Sequence, residues 1–383
     1  MIKFNYSNHY IDKQDKKAVL NAMNSKVLTK GDYLTKFENK LKKFVQAKYC
    51  TVVSNASNAL IAVLKSLNVS KNDNIWCSNN TYIATINCAL HLNLNIDLVD
   101  INLKDYNISV KSLKKKLLST QKKKLPKFLI VTHIGGYCCN LKEIHKLSKK
   151  FKFKIIEDAS HALGAKYLNS KIGNCKYSEA SIFSFHPSKI ITSAEGGAIT
   201  TNNYEISKKI KLIRENGHDF SKSRFHKIDT NYYDIKELGF NFRLNELNCA
   251  LGISQLNKIS KFINYKNKLS KIYFSSLDKK KFILPEYDFS SRLNSWHLFI
   301  LRLNFENLKK SKNKTISYLK KKGILVKTHY PPLSTLTLIN KSLRRKLNYP
   351  ESMKYYRSAI SIPIYYDLKL NDQKKIIKIL NKI

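Results

Sequence analysis

One lysine in this chain sits in surroundings unlike those of the others. The run Ser181-Ile-Phe-Ser-Phe-His-Pro-Ser-Lys-Ile-Ile-Thr-Ser-Ala-Glu-Gly-Gly-Ala-Ile-Thr200 sets Lys189 among apolar and small residues, where most lysines stand beside other charges. A lysine in a partly dry pocket loses its proton near neutral pH, and the free amine condenses with an aldehyde to a Schiff base. Only eight of the 70 basic residues are arginine, so lysine is abundant and any single one is structural by default. Reactivity at Lys189 therefore has to be argued from partners elsewhere in the chain.

The first partner is Asp158, which closes the apolar run Phe153-Lys-Phe-Lys-Ile-Ile-Glu-Asp and is followed by Ala-Ser-His-Ala-Leu-Gly. This spacing predicts a carboxylate at the carboxyl end of a strand, the edge where open α/β sheets bind ligands. Pyridoxal phosphate needs such an acid against its ring nitrogen to keep the pyridinium protonated. An Asp that merely caps the next helix fits the same local pattern. The second partner is Val52-Val-Ser-Asn-Ala-Ser-Asn-Ala-Leu-Ile-Ala-Val-Leu, a short strand followed by an amphipathic helix. Unpaired N–H groups at that helix start, at Ala56 and Ser57, suit a phosphate, although Ser-Asn before a helix is also ordinary capping. Neither GxxxxGK[ST] nor GxGxxG occurs, which argues against a nucleoside triphosphatase and a dinucleotide fold.

Phosphate cradle, strand-end acid and lysine, in that order, resemble the fold-type I pyridoxal phosphate enzymes. The stretch Glu157-Asp-Ala-Ser-His-Ala-Leu-Gly-Ala, with Phe183-Ser-Phe-His-Pro-Ser-Lys, Glu195-Gly-Gly-Ala-Ile-Thr-Thr and Gly239-Phe-Asn-Phe-Arg-Leu-Asn-Glu246, is similar to the DegT-type nucleotide-sugar aminotransferases. The resemblance runs from about residue 3 to the C-terminus. It implies pyridoxal 5'-phosphate as cofactor, with Lys189 as Schiff-base and proton-transfer residue, Asp158 on the pyridinium and Tyr82 stacked on the ring. It also implies His161 near the phenolic oxygen, and Ala56, Ser57, Ser184 and, from the other subunit of a homodimer, Asn241 on the phosphate. Tyr6, the segment Lys26, Val27, Leu28 and Thr29, and the segment Lys327, Thr328, His329 and Tyr330 would line the nucleotide-sugar site. His186 and Glu195 receive no role.

The opening Phe4-Asn-Tyr-Ser and the segments Asn24 to Gly31 and Gly323 to Pro332 are most similar to the pseudaminic acid branch of the family. That similarity implies L-glutamate as amino donor and C4 of UDP-4-keto-6-deoxy-N-acetyl-β-L-altrosamine as acceptor. Another nucleotide-linked 4-keto sugar, such as a bacillosamine, legionaminic acid or perosamine precursor, or a non-enzymatic regulator on the same scaffold, is the alternative. Two positions depart from the common pattern: Ser160 stands where many members carry Ala, and Tyr82 where Phe or Trp is usual, with a flat face kept. Lysine and not histidine at the Schiff-base position disfavours the sugar dehydratase branch.

Composition fits a soluble cytoplasmic enzyme. At 383 residues and 43% hydrophobic the chain can bury a sizeable core. No stretch approaches the roughly 18 apolar residues of a membrane helix, the N-terminus lacks a signal-peptide layout, and seven cysteines without CxxC fit a reducing compartment. Cys138, Cys139 and His145 lack a second ligand pair, so no metal is expected. The formal net charge of +43 attracts polyanions. Its lysines are nonetheless spread through nearly every segment beside abundant Asn and Ile, which suggests codon bias, and no nucleic-acid-binding motif accompanies them. The runs at Lys114 and Lys122 read as a solvated helix face and linker.

Placing these residues requires an α/β fold. Residues 10–23 and 34–47 read as helices, and strands are expected at 51–54, 75–78, 96–99, 127–133, 152–158, 180–184 and 198–201 between helices. Such alternation implies a large domain with a mostly parallel sheet covered on both faces. A single helix over 245–275 should lead into a smaller C-terminal α+β domain. The expected division is 1–250 for the cofactor-binding domain, with its N-terminal helical segment, and 251–383 for the small one, the substrate lying between them at the dimer interface.

Overall fold

The computed structural model describes residues 2–219, 233–287, 290–308, 310–343 and 347–383. Two helices come first, α1 (Lys13–Met23) and α2 (Asp32–Val45). Asp12 caps α1 by accepting from the N–H groups of Gln14 and Asp15, while Asp15 returns a bond to the Asp12 N–H, so both ends of the first turn are satisfied. Seven five-residue strands follow: β1 (Tyr49–Val53), β2 (Asn74–Ser78), β3 (Asn95–Val99), β4 (Phe128–Thr132), β5 (Lys154–Asp158), β6 (Ala180–Ser184) and β7 (Gly197–Thr201). They form one sheet in the order β1-β7-β6-β5-β4-β2-β3.

The sheet is parallel except at β7, which runs antiparallel to both β1 and β6. Strands β4 and β7 are buried at every position, as expected where both faces are covered. Successive side chains divide between two cores. Leu129, Val131 and Ile155 join a core with Phe37 and Phe183, and Phe128, Ile130 and Ile156 join one on the other face with Leu60 and Ile210.

After β7 the chain reaches α3 (Glu246–Asn257) and α4 (Ile259–Ser276), two helices where one was expected. The break falls at Lys258, whose Nζ turns aside to Asp12 Oδ1 at 2.9 Å and the fully buried Asp15 Oδ2 at 2.6 Å. The small C-terminal sheet is antiparallel, β8 (Phe282–Ile283), β9 (Phe299–Leu303) and β10 (Ala359–Ile362), with β9 in the middle. Its core is built from Tyr273, Phe299, Leu301, Ile360, Ile362 and Leu380, and the N-terminal Phe4 packs into it. Phe4 also pairs with Ile324 across a parallel bridge, so the first residues of the chain are tied to its last third.

The lysine-rich stretch after residue 110 is not uniformly solvated. Lys116, on the helix Val110–Ser119, is buried against Asp97 at 2.5 Å and lies 4.8 Å from the centre of the Trp76 ring. A strand-borne carboxylate opposite that helix position draws the lysine inward, a pairing that charge counting along the helix does not reveal. Among the described residues no helix is long and apolar enough to cross a membrane.

Candidate active site

The carboxyl ends of β4, β5 and β6, neighbours in the sheet, and the loops beyond them share one sheet edge. Asp158 is the last residue of β5 and is 95% buried, its neighbour in register on β4 being Thr132. Its Oδ2 accepts the Thr85 hydroxyl at 2.8 Å and its Oδ1 accepts the Ser160 N–H at 3.2 Å, so both oxygens are held. Asp158 is thus a strand-end acid that also caps the turn after it.

Lys189 lies in the loop after β6. That loop closes on itself, Phe185 N–H donating to the Gly196 carbonyl and Ser193 N–H to the Phe185 carbonyl, while Lys189 N–H donates to the His186 carbonyl. The N-terminal arm clamps it from outside, the Ser7 hydroxyl donating to the Ser188 carbonyl at 2.9 Å. Burial lowers the Lys189 ammonium from its ordinary value to about 8, with Asp158 pulling the other way. An amine near 8 is neutral often enough at physiological pH to act as nucleophile or base.

The same ammonium charge reaches His161, His297 and His329, which places all three imidazoles around it. Burial pushes His161 well below the ordinary histidine range, so its ring is neutral. Its Nδ1 accepts the Gly135 N–H at 3.3 Å, which leaves the proton on Nε2, 3.2 Å from the Tyr330 hydroxyl. His297 packs beside it at 4.2 Å between ring centres, the planes tilted by 44°. His329 is held down to about 3 by burial, and its Nδ1 meets the Ser361 hydroxyl at 2.8 Å.

Aromatic faces line the mouth. Tyr82 exposes 54% of its surface and lies 5.5 Å from the Tyr330 ring. Tyr6 lies 5.0 Å from His329, with the Lys327 ammonium 5.2 Å over its ring. Thr328 completes that segment by donating to the Ala359 carbonyl. Asn80 Oδ1 accepts the Tyr330 N–H and so joins the two segments.

Ala56 and Ser57 open the helix Ala56–Ser66, whose cap Asn55 accepts the Asn58 N–H with its side-chain oxygen. Ser57 is exposed, and among the described residues neither Ala56 N–H nor Ser57 N–H has a protein partner. Ser184 ends β6 beside them, since it pairs with Gly197, which pairs in turn with Val53. Gly197 is glycine because a Cβ there would lie 2.5 Å from the Asn55 carbonyl carbon and 2.7 Å from Ala56 N. Gly197→Val should therefore push the helix start away, costing about 1–3 kcal/mol of stability and roughly tenfold or more in affinity for a phosphate-bearing ligand. A thermal melt and a spectral titration with pyridoxal phosphate check both.

The predicted residues fall into two groups. Tyr6, Tyr82, Asp158, His161, Lys189 and Lys327 to Tyr330 surround the sheet edge, with Ala56, Ser57 and Ser184 at the helix start. Lys26, Val27, Leu28 and Thr29 lie exposed and are tied through Lys30 and Glu215 to Asn241. The Leu28 carbonyl accepts the Glu246 N–H, Lys30 pairs with Glu215 at 2.9 Å, and Glu215 bridges Asn241. Sequence reasoning missed Thr85, Thr81, Thr132 and His297. Thr85 stands three residues after Tyr82, but nothing in a single threonine tells which way its hydroxyl points.

The DegT/DnrJ/EryC1/StrS aminotransferase family pattern spans residues 9–381. This chain belongs to that family. Among its relatives, the UDP-4-amino-4,6-dideoxy-N-acetyl-β-L-altrosamine transaminase of Campylobacter jejuni (strain 81-176) is 32% identical over 96% of this chain and 94% of its own. The transaminase of the same name from Helicobacter pylori is 31% identical over 98% and 96%. The solved structure of Helicobacter pylori PseC, described as an aminotransferase involved in the biosynthesis of pseudoaminic acid, superposes with a TM-score of 0.90 at 30% identity, covering 99% of this chain and 98% of that one. Family membership makes this chain a sugar aminotransferase of the pyridoxal phosphate-dependent kind, on the fold-type I α/β architecture. The residues fit that cofactor: free N–H groups for a phosphate, a buried carboxylate for a ring nitrogen, an open aromatic face, and an amine of lowered pKa lie on one sheet edge.

Proposed function

We propose that this chain moves an amino group from L-glutamate to C4 of UDP-4-keto-6-deoxy-N-acetyl-β-L-altrosamine, as part of pseudaminic acid synthesis. The observation that carries the chemistry is the Lys189 amine, buried to a pKa of about 8 on the sheet edge that holds Asp158. The choice of sugar is supported by full-length similarity to transaminases named for that product.

When bound, pyridoxal phosphate supplies an aldehyde that condenses with amines and a protonated ring that draws electrons from bonds at the attached nitrogen. Ala56 and Ser57 N–H groups, with the Ser184 hydroxyl, would bind the phosphate. Asp158 would keep the ring nitrogen protonated, Tyr82 would cover the ring face, and His161 Nε2–H would donate toward the phenolic oxygen. Lys189 Nζ would take a proton from the donor carbon as the neutral amine on one half-reaction and deliver a proton to the sugar C4 as the ammonium on the other, and a group near 8 populates both forms close to neutrality. Tyr6, Lys327, Thr328, His329 and Tyr330 orient the sugar nucleotide and keep water from the reacting carbon.

A homodimer completes the site in this reading, with Asn241 and the Lys26 to Thr29 segment reaching the partner's cavity. Exposed apolar side chains beside them support it: Val27 and Leu28 are 50% exposed, Leu238 76% and Phe240 37%.

The test is spectroscopic. Protein loaded with pyridoxal phosphate should show the near-visible band of a lysine-bound cofactor, L-glutamate should bleach it, and the UDP-4-keto-L-altrosamine substrate should restore it. Bleaching without restoration by this sugar keeps the aminotransferase and replaces the acceptor, which a panel of UDP-, GDP- and dTDP-4-keto sugars then identifies by product mass. Absence of bleaching by glutamate, with bleaching by another amino acid, replaces the donor.

A further inference from the structure

Three buried hydroxyls lead in a line to Asp158. Thr132 Oγ lies 2.8 Å from Thr81 Oγ, Thr81 Oγ lies 2.9 Å from Thr85 Oγ, and Thr85 Oγ lies 2.8 Å from Asp158 Oδ2. Thr81 and Thr85 are fully buried and Thr132 is 96% buried, so none of these bonds is shared with bulk water. Each hydroxyl owns one hydrogen, and an ionised carboxylate only accepts. Thr85 therefore spends its hydrogen on Asp158, Thr81 must spend its own on Thr85, and Thr132 its own on Thr81. The direction of the line is fixed by counting protons.

A threonine in the first turns of a helix commonly returns its hydroxyl to a main-chain carbonyl of the preceding turn. Thr85, in the helix Ala84–His91, turns it sideways to a strand-end carboxylate instead. Thr132, the register neighbour of Asp158 on β4, does not bond that carboxylate directly but reaches it through the other two hydroxyls. Bonds in such a line polarise one another, so the last one is stronger than an isolated hydroxyl bond. With Ser160 N–H on the other oxygen, rotation of the Asp158 carboxylate is pinned at both ends.

We propose that Thr85 is a positioning residue for the reaction: fed by Thr132 and Thr81, it fixes the Asp158 carboxylate in the orientation that keeps the cofactor's ring nitrogen protonated. This extends the reading of Asp158 as the ring-nitrogen partner and depends on it.

The test uses holoenzyme reconstituted with pyridoxal phosphate labelled with 15N in the ring. Thr85→Val replaces the hydroxyl by a methyl of similar size, and Thr85→Ser restores the hydroxyl without the methyl. The expected result is a 15N shift moved toward the unprotonated position in Thr85→Val, with kcat lowered about tenfold and KM for the sugar unchanged. Thr85→Ser should return both the shift and kcat to within about twofold of wild type, and Thr81→Val should move them in the same direction by less. A merely structural role would lower the melting temperature and leave the 15N shift in place. An unchanged shift and kcat in Thr85→Val, or a Thr85→Ser as impaired as Thr85→Val, overturns the proposal. If Thr85→Val does not fold, Thr81→Val and Thr132→Val decide it, and wild-type shifts in both overturn it. A wild-type protein that takes up no cofactor overturns the parent reading as well, whereas normal uptake with an indifferent Thr85→Val overturns only the hydroxyl line.

Discussion

Lys189→Ala should abolish amino transfer, with kcat lowered by about 10⁴-fold or more, because one side chain supplies both the covalent tether and the proton shuttle. The near-visible band of lysine-bound cofactor should vanish with it, while the fold and the phosphate site remain. Turnover assayed by product mass checks the first expectation and a spectrum the second; a variant that kept full turnover would refute the assignment. The pH dependence follows from the same amine. Its folded pKa of about 8 lies below its ordinary value of 10.5, so the cofactor-free protein favours the neutral form. The sign is that of a depressed base: stability of the cofactor-free fold rises with pH from about 8 until the unfolded amine also titrates near 10.5. The rate at which cofactor-free protein captures pyridoxal phosphate should climb with pH and level off above about 8. A stopped-flow series between pH 6 and 9.5 follows it.

Asp158→Asn should carry the second largest loss, roughly 10²–10³-fold in kcat, since it removes a charge aimed at the reacting system while keeping the side chain's shape. Lys189 stays in place, so the lysine-bound cofactor band should persist, and the separation of the two signals distinguishes this variant from Lys189→Ala. Asparagine also offers one acceptor oxygen where the Thr85 hydroxyl and the Ser160 N–H now meet two, so one of these donors loses its partner whichever way the amide turns. Single-turnover kinetics with glutamate should show the loss in the proton-transfer step, with donor binding altered by less than about threefold.

How far the sequence led depends on what each residue signals locally. Asp158 was legible because it closes the run around Ile155 and Ile156 just before the small residues Ala-Ser-His-Ala-Leu-Gly, and Lys189 because its neighbours are apolar or small. All seven strands of the large sheet lie where the apolar runs put them, within a few residues at their ends. Strand direction was not legible: Gly197–Thr201 reads alike in either sense, and its antiparallel course is set by partners far away in the chain. The interruption at Lys258 was hidden for a related reason, since the acids its ammonium meets there, Asp12 and Asp15, lie at the start of α1, far away in the chain. Lys116 was assigned to a solvated face because a helical lysine run carries no sign of the Asp97 opposite. The hydroxyl line behind Asp158 lay deepest, because it joins two strands and a helix start through atoms whose orientation only the folded chain decides.

Strand β7 has a consequence for how the molecule is made. It is wedged between β1 and β6, and its pairing with β1 joins residues about 150 positions apart. A ribosome must release the chain beyond Thr201 before β1 finds its neighbour, so a nascent chain that already holds the first four strands still lacks the floor under the Ala56 helix start. Loop closure over that span is entropically slow, and the anion-binding end of the sheet thus consolidates after the β2–β3 and β4–β5 pairs, which close shorter loops. Cofactor capture then follows folding of the large sheet and cannot guide its early stages.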